Sequence, residues 1–220
     1  MQYCTRCLYP ANHPYGLIFN DNGLCTGCIV HEEKDTLNWD ARFHLLEDIV
    51  FENKKNINSK SFDCIIPVYG GGDSYYIVHI VKNVLGMNPL LVHYNPQFNT
   101  KLGIRNLANL VTVFDCDMVT STLAPSLLKR ITRASLKKYG NMYWQVLAGR
   151  LTYPVQVAVR YRIPLIFWGV HPWSDQTGMY QHINEVEMTE RCRKEHGLFG
   201  VSAEDIVCLL YTSPSPRDAT

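Results

Sequence analysis

The chain has 220 residues, of which 46% are hydrophobic and 19% are charged. These proportions are those of a globular protein with a sizeable core. Its formal net charge of +1 argues against a nucleic-acid or membrane partner held mainly by electrostatics. The sequence shows no apolar targeting segment at its start and no apolar run long enough to cross a bilayer, so we expect a cytoplasmic protein.

The first thirty residues carry two closely spaced cysteine pairs, Cys4 with Cys7 and Cys25 with Cys28. Between the pairs, "GLIFNDNGLC" is typical of a strand, a turn and a second strand, which would bring the pairs together. Four thiolates at this spacing predict a structural zinc site in a ribbon-like unit over residues 1–30. The alternative is a set of unligated thiols or a redox pair.

A helix is predicted next, because Trp39, Phe43, Leu46 and Val50 recur at helical spacing. A polar stretch follows it, so we interpret residues 31–60 as a helix and a linker. From Phe62 onward, short apolar runs alternate with helical patterns, which predicts an α/β domain with a parallel sheet over residues 61–208. The predicted strands are "FDCIIPV", "NPLLVHYN", "LVTVFDCD" and "IPLIFWG".

The predicted helices of this domain start at Ser74, near Leu102, and at residues 124 and 142. Ligands of parallel sheets bind beyond the carboxyl ends of the strands. The segments expected at that edge are "YGGGDS", "YNPQF", "DCD" and "GVHPW".

The segment "YGGGDS" is the candidate phosphate loop. Gly70, Gly71 and Gly72 would let the backbone approach a ligand, and the N–H groups that open the next helix would point at phosphate oxygens. Ser74 could donate a further hydrogen bond, and Asp73 could help to hold Mg²⁺. The alternative is a tight turn in which Asp73 is only the helix N-cap.

A histidine follows the last predicted strand, at position 171. This places His171 at the ligand edge as a candidate catalytic residue, and the alternative is a structural, hydrogen-bonded histidine.

The end of the chain, "CLLYTSPSPRDAT", has no periodicity. Residues 209–220 are similar to the translation of a sequencing adapter, which would mean that the natural C-terminal part of the protein is missing. The alternative is a disordered terminus.

In the order of its motifs, the chain resembles the N-acetyl sugar amidotransferases of bacterial surface-polysaccharide and lipopolysaccharide biosynthesis, in the PP-loop ATP pyrophosphatase superfamily. The resemblance rests on "YCTRCLYPANHPYGLIFNDNGLCTGC", "FDCIIPVYGGGDSYY", "NPLLVHYN" and "YPVQVAVRYRIPLIFWG". It implies a PP-loop α/β domain that uses ATP and Mg²⁺ to adenylate the N-acetyl oxygen of a nucleotide-linked sugar. Ammonia from separate glutaminase and cyclase-like subunits would then displace AMP and give an acetamidino group.

The chain departs from the family pattern at five positions near the expected site. Tyr69 and Gly72 stand where the family loop has serine and lysine, and Val146, Leu147 and Val170 replace polar residues. Backbone contacts to phosphate survive these changes, but a charge and a hydroxyl are lost. We therefore expect weak nucleotide binding and little or no adenylation, whether the chain is an inactive paralogue or its sequence contains errors.

Two other functions are compatible with the same motifs. A tRNA-modifying sulfur transferase of the superfamily also combines CxxC pairs with a PP-loop, but it would require a basic face and catalytic cysteines. A non-catalytic nucleotide-binding paralogue would keep only the scaffold.

Overall fold

The computed structural model describes residues 1–12, 16–56, 62–169, 178, 181–182, 194, 197–198 and 200–206. The chain divides into two compact units, one that includes Met1–Ile49 and one that includes Val50–Gly169. The domain boundaries inferred from the sequence stay predictions. No helix within the described ranges combines the length and hydropathy needed to span a bilayer.

The turn between the cysteine pairs is built by Asn20. Its side-chain oxygen accepts hydrogen bonds from the backbone N–H groups of Asn22 at 3.1 Å and Leu24 at 2.9 Å. The strands predicted on either side are reduced to a single antiparallel bridge between Phe19 and Cys25. Helix α1, Thr26–Glu33, starts directly after Cys25.

The predicted helix that follows is confirmed as α2, Trp39–Asn56. Val50 is the buried end of its apolar stripe, whereas Trp39 is 53% exposed. The Trp39 indole N–H donates to the backbone oxygen of Lys34 at 3.0 Å, so this side chain folds back over the start of its own helix.

A parallel sheet forms the centre of the second unit, which confirms the predicted α/β fold. Strands β1, Cys64–Pro67, β2, Pro89–Asn95, and β3, Met118–Thr122, pair in that order. On the other side of β1, Ile166 of the predicted fourth strand makes a parallel bridge to Ile65. The chain thus adds strands on one side of β1 and later returns to its other side.

Helices cover the sheet as the βαβ pattern requires. They are α3, Gly72–His79, continued by a π-helical turn, Ile80–Val84; α4, Lys101–Phe114; α5, Pro125–Tyr139; and α6, Trp144–Tyr161. Helix α6 packs on β1 and β2 through a buried apolar cluster of Ile65, Leu90, Val92, Val157, Ala158 and Ile163. The Tyr75 hydroxyl of α3 donates to the Asn106 oxygen of α4 at 2.7 Å and ties these two helices together.

The prediction of "LVTVFDCD" as a strand is wrong. Its first five residues complete α4, in which Leu110 is buried and Val113 is 68% exposed, so only one side of the apolar run is packed. The helix ends at Asp115, whose φ of 48° is left-handed, and the strand starts at Met118. "DCD" therefore precedes β3 and lies at the amino edge of the sheet, not at the ligand edge.

Gly70 carries the turn from β1 into α3. Its φ is +80°, and a Cβ there would lie 3.3 Å from both the Gly103 oxygen and the Leu107 nitrogen of α4. Both the backbone conformation and the contact with α4 require glycine. At Gly72, by contrast, a Cβ would meet nothing within 4 Å.

We predict that Gly70→Ala lowers the free energy of unfolding by about 1–3 kcal/mol, the usual cost of a strained backbone. The matched control, Gly72→Ala, places its methyl group in open space and should change stability by no more than about 0.5 kcal/mol. Urea unfolding midpoints of the two variants would measure the difference. Equal midpoints would contradict the assignment of strain to Gly70.

Candidate functional site

The candidate loop lies at the switch point of the sheet. Strand β1 has β2 on one side and the Ile166 segment on the other, so the strand order reverses at β1. A crevice for ligands opens at the carboxyl end of such a strand. Residues 70–74 occupy this position, directly after β1 and at the start of α3.

Ser74 closes the loop. Its hydroxyl oxygen accepts a hydrogen bond from the Tyr69 N–H at 3.0 Å, and the side chain is 2% exposed. The first N–H groups of any helix lack an acceptor within it. Those of Gly72 and Asp73 open α3, so the loop presents backbone donors to an anion.

Asp73 is not the N-cap of α3. Gly71 holds that position without a side-chain hydrogen bond. The Asp73 carboxylate folds back toward it, since a Cβ at Gly71 would lie 2.6 Å from Asp73 Oδ1. Asp73 is exposed, so its carboxylate is accessible to a cation that accompanies an anionic ligand. This arrangement fits Mg²⁺, which is usually held by one or two carboxylates and the phosphates of its ligand.

A cavity of about 540 Å³ lies beside the loop. Its walls come from Tyr69, the carboxyl half of β2, the first residues of β3, the first turns of α4, and the start of α6. The Asn95 side chain shapes one rim, since its amide donates to Thr122 Oγ1 at 3.2 Å and its oxygen accepts from Gln97 N at 2.9 Å. The rings of Phe98 and Tyr143 stack at 6.2 Å between centroids on the same cavity.

His93 lines this cavity and is held as a neutral ring. It is 6% exposed, and its Nδ1 lies 2.9 Å from the Val68 carbonyl oxygen, to which it must donate. Burial lowers the pKa of His93, and the charge of Arg150 lowers it further against the opposing effect of the Val68 hydrogen bond. Nε2 is therefore left with its lone pair.

Arg150 brings a positive charge to the same cavity. Its guanidinium carbon lies 4.2 Å from the centroid of the Tyr69 ring, a cation–π contact. Its Nε is buried without a hydrogen-bond partner, and no described carboxylate pairs with the group. Burial raises the pKa of the Tyr69 hydroxyl, an effect that Arg150 opposes, so the ring beneath the guanidinium is neutral at physiological pH.

A second cavity, of about 250 Å³, lies between β2, β3, α5 and α6. The Tyr94 hydroxyl donates to Gln145 Oε1 at 3.0 Å and fixes this amide. Gln145 Nε2 and Trp144 Nε1 are buried donors for which the described residues provide no acceptor. Both residues line the cavity, and donors alone select a ligand with an acceptor oxygen.

The residues predicted from the sequence divide into three groups. Gly70, Gly71, Gly72, Asp73 and Ser74 lie together at the ligand edge, although their roles stay predictions. His171 and Val170 fall outside the described residues. Val146 is fully buried and Leu147 half-buried in α6, and neither lines the described cavities.

Two residues of the site, His93 and Arg150, were missed by the sequence analysis. A histidine near the carboxyl end of the predicted strand "NPLLVHYN" was an available signal for His93. Nothing local marks Arg150, because its contact with Tyr69 joins residues far apart in the sequence.

The four cysteines of the first unit converge. Their sulfur atoms all lie within 4.8 Å of one another, with Cys4 and Cys28 3.8 Å apart and Cys7 and Cys25 3.6 Å apart. Zn–S bonds of about 2.3 Å place the sulfurs of a tetrahedral site about 3.8 Å from each other. The donor set and its spacing therefore fit a structural zinc ion.

Backbone donors favour the thiolate at Cys4. The N–H groups of Cys25 and Arg6 lie 3.3 Å and 3.5 Å from its sulfur. Burial opposes ionisation, yet these donors and that of Cys7 lower the pKa of Cys4 to about 6. Burial and the neighbouring thiols raise the pKa of Cys28 to about 12. A bound cation would favour all four thiolates.

No protein-family model matches the chain. An uncharacterized protein of Methanocaldococcus jannaschii is 22% identical over 116 residues, which are 53% of this chain and 41% of that protein. The chain thus matches less than half the length of this curated relative.

Three solved structures are similar to the chain at low identity. An NH3-dependent NAD synthetase from Campylobacter jejuni is 13% identical, with a TM-score of 0.47 over 81% of this chain and 99% of that one. An NMN synthetase from Francisella tularensis is 14% identical, with a TM-score of 0.45 over 78% of each chain. A U34-tRNA thiolase from Methanococcus maripaludis is 11% identical, with a TM-score of 0.28 over 98% of this chain and 76% of that one.

We predict one zinc ion per chain. Cys25→Ser and Cys28→Ser should each lose it, because a tetrahedral site needs all four thiolates. Cys116→Ser, which changes a buried cysteine outside the cluster, should keep it. Metal analysis of the purified proteins measures the content. Retention of full zinc by both cluster variants would contradict the assignment, as would an iron–sulfur absorption spectrum in the unmodified protein.

Proposed function

We propose that the chain is an ATP-binding protein of the PP-loop superfamily that adenylates an acyl oxygen. The observation that carries this proposal is the glycine turn at the switch point of the sheet, which opens helix α3 beside a cavity of about 540 Å³. Backbone donors, a helix dipole and a neighbouring enclosed space are what a nucleoside triphosphate requires.

The loop is assigned to the phosphates. Gly70 lets the backbone turn, the N–H groups of Gly72 and Asp73 face the anion, and the Ser74 hydroxyl keeps its hydrogen for donation. Asp73 supplies the protein ligand for Mg²⁺, which is held chiefly by the phosphates themselves.

The cavity is assigned to the nucleoside. Its volume lies within the usual range for small-molecule sites, about 300–1,000 Å³. The stacked rings of Phe98 and Tyr143 offer an aromatic face to a base, and Asn95 supplies polar groups at the rim.

The acceptor is assigned as the N-acetyl group of a nucleotide-linked sugar, on the resemblance to the N-acetyl sugar amidotransferases. An amide oxygen is a poor leaving group until it carries AMP, so adenylation with loss of pyrophosphate prepares displacement by ammonia. In this scheme the protein contributes mainly orientation and electrostatic stabilisation.

The same resemblance assigns the remaining partners and the biological role. Ammonia comes from separate glutaminase and cyclase-like subunits, and the product enters surface-polysaccharide synthesis. The four-cysteine cluster has a structural role only, because all four positions of the ion are filled by protein. His171 stays a candidate catalytic residue of this reaction.

We predict slow, ATP-dependent release of equal amounts of AMP and pyrophosphate when UDP-N-acetylglucosamine, Mg²⁺ and ammonium are supplied. Turnover is slow because the loop lacks the lysine that would follow the departing pyrophosphate, and one missing donor typically costs about 10²–10³ in rate. Radiolabelled ATP and chromatography detect such low rates.

Asp73→Asn is the matched control, since it removes a carboxylate that is exposed and should leave the fold intact. This variant should lose the Mg²⁺-dependent rate. AMP formation that requires tRNA and sulfide in place of the sugar nucleotide would favour the sulfur transferase instead. Absence of any ATP binding at millimolar concentration would reject the proposed function.

A further inference from the structure

We infer that Arg150, in contact with the Tyr69 ring, is the cationic group of a phosphate subsite at the end of the cavity that adjoins the loop, next to the space assigned to the nucleoside. This inference rests on the proposed function only in identifying the phosphate as part of ATP. The anion-binding chemistry follows from the side chains themselves. The chain thus replaces the point charge absent at Gly72 with a guanidinium from helix α6.

The charge of Arg150 has no counter-charge among the described residues. Arg150 is half-buried, its Nε is fully enclosed without an acceptor, and the described residues provide no carboxylate for it. Enclosing part of a cation without a partner is costly, and buried charges in proteins are usually paired. In this cavity the counter-ion would be the ligand.

The Arg150 guanidinium is supported by an aromatic ring. The guanidinium carbon lies 4.2 Å from the centre of the Tyr69 ring, so the ring positions the group, and no described residue accepts a hydrogen bond from its Nε. Arginine is suited to such a contact because its planar fork both stacks on rings and binds phosphate oxygens in pairs. Tyr69 is accordingly a positioning residue.

Tyr69 and Arg150 lie where the loop meets the cavity. Tyr69 directly precedes Gly70 and its N–H bonds to Ser74 Oγ, so the seat of Arg150 is part of the loop itself. His93 lines the same cavity with no described partner at Nε2, and none of the described residues that line the cavity is acidic. The described wall therefore carries one positive charge, while the Asp73 carboxylate lies in the adjoining loop.

The test uses the full chain and calorimetric titration with inorganic pyrophosphate and, separately, with ATP. Arg150→Met should weaken pyrophosphate binding by about 10- to 100-fold, the loss expected for charge-assisted hydrogen bonds. It should also fold well, because it removes a buried donor that has no partner among the described residues. Arg150→Lys keeps the charge but not the planar guanidinium, so its affinity for pyrophosphate should lie between those of Arg150→Met and the unmodified protein.

Tyr69 provides the matched controls. Tyr69→Phe keeps the ring and should bind pyrophosphate as the unmodified protein does. Tyr69→Leu removes the ring and should weaken binding. A purely structural role for Tyr69 would not make pyrophosphate affinity follow the ring in this way at unchanged melting temperature.

A measurement without substitution supports the same conclusion. Phenylglyoxal should modify Arg150 in the free protein, and pyrophosphate should slow that modification, as read by peptide mass spectrometry. Equal pyrophosphate affinity in Arg150→Met and the unmodified protein would overturn the inference, as would absence of pyrophosphate binding altogether.

Different results would reject the phosphate subsite at Arg150 and the proposed ATP-binding function. Arg150-dependent binding of pyrophosphate without binding of ATP would keep the phosphate subsite and reject the nucleotide. ATP binding that is unchanged by Arg150→Met would keep the nucleotide and reject the role of Arg150.

Discussion

The left-handed turn at Gly70 is the constraint on which the rest of the second unit depends. Strand β1 can deliver the chain into α3 only if residue 70 takes a φ of +80° and lets the backbone of α4 approach it. That approach sets the position of the first N–H groups of α3 and of the first turns of α4. The loop and one wall of the cavity are consequences of this single contact.

Charge is the second determinant of the site. The loop itself offers backbone dipoles but no cation, and a cation reaches its first residue from a different element, through the contact of Arg150 with the Tyr69 ring. The tyrosine at position 69 then has a physical reason, because its ring contacts the guanidinium at 4.2 Å. If Arg150 serves the phosphates, the loop draws its positive charge from helix α6, although a guanidinium held on a ring does not follow a departing pyrophosphate as a lysine would.

Much of the fold could be predicted from the sequence because periodicity and glycine position are local signals. The cysteine pairs, the βαβ alternation and the glycine turn were all recognisable. The error at "LVTVFDCD" arose because β-branched residues such as Val111 and Val113 are tolerated where one helical side is exposed. Arg150 and the unpaired donor of Gln145 could not be predicted, since their roles depend on contacts between distant parts of the chain.

The most direct measurement of the central claim is a double-mutant cycle on pyrophosphate affinity with Gly72→Lys and Arg150→Met. Position 72 has open space for a side chain, and the account places a lysine there and Arg150 at one anion. The account predicts that Gly72→Lys restores much of the affinity lost in Arg150→Met but adds little to the unmodified chain, a coupling of about 0.5–3 kcal/mol. Additive effects, or no loss on removing Arg150, would contradict it.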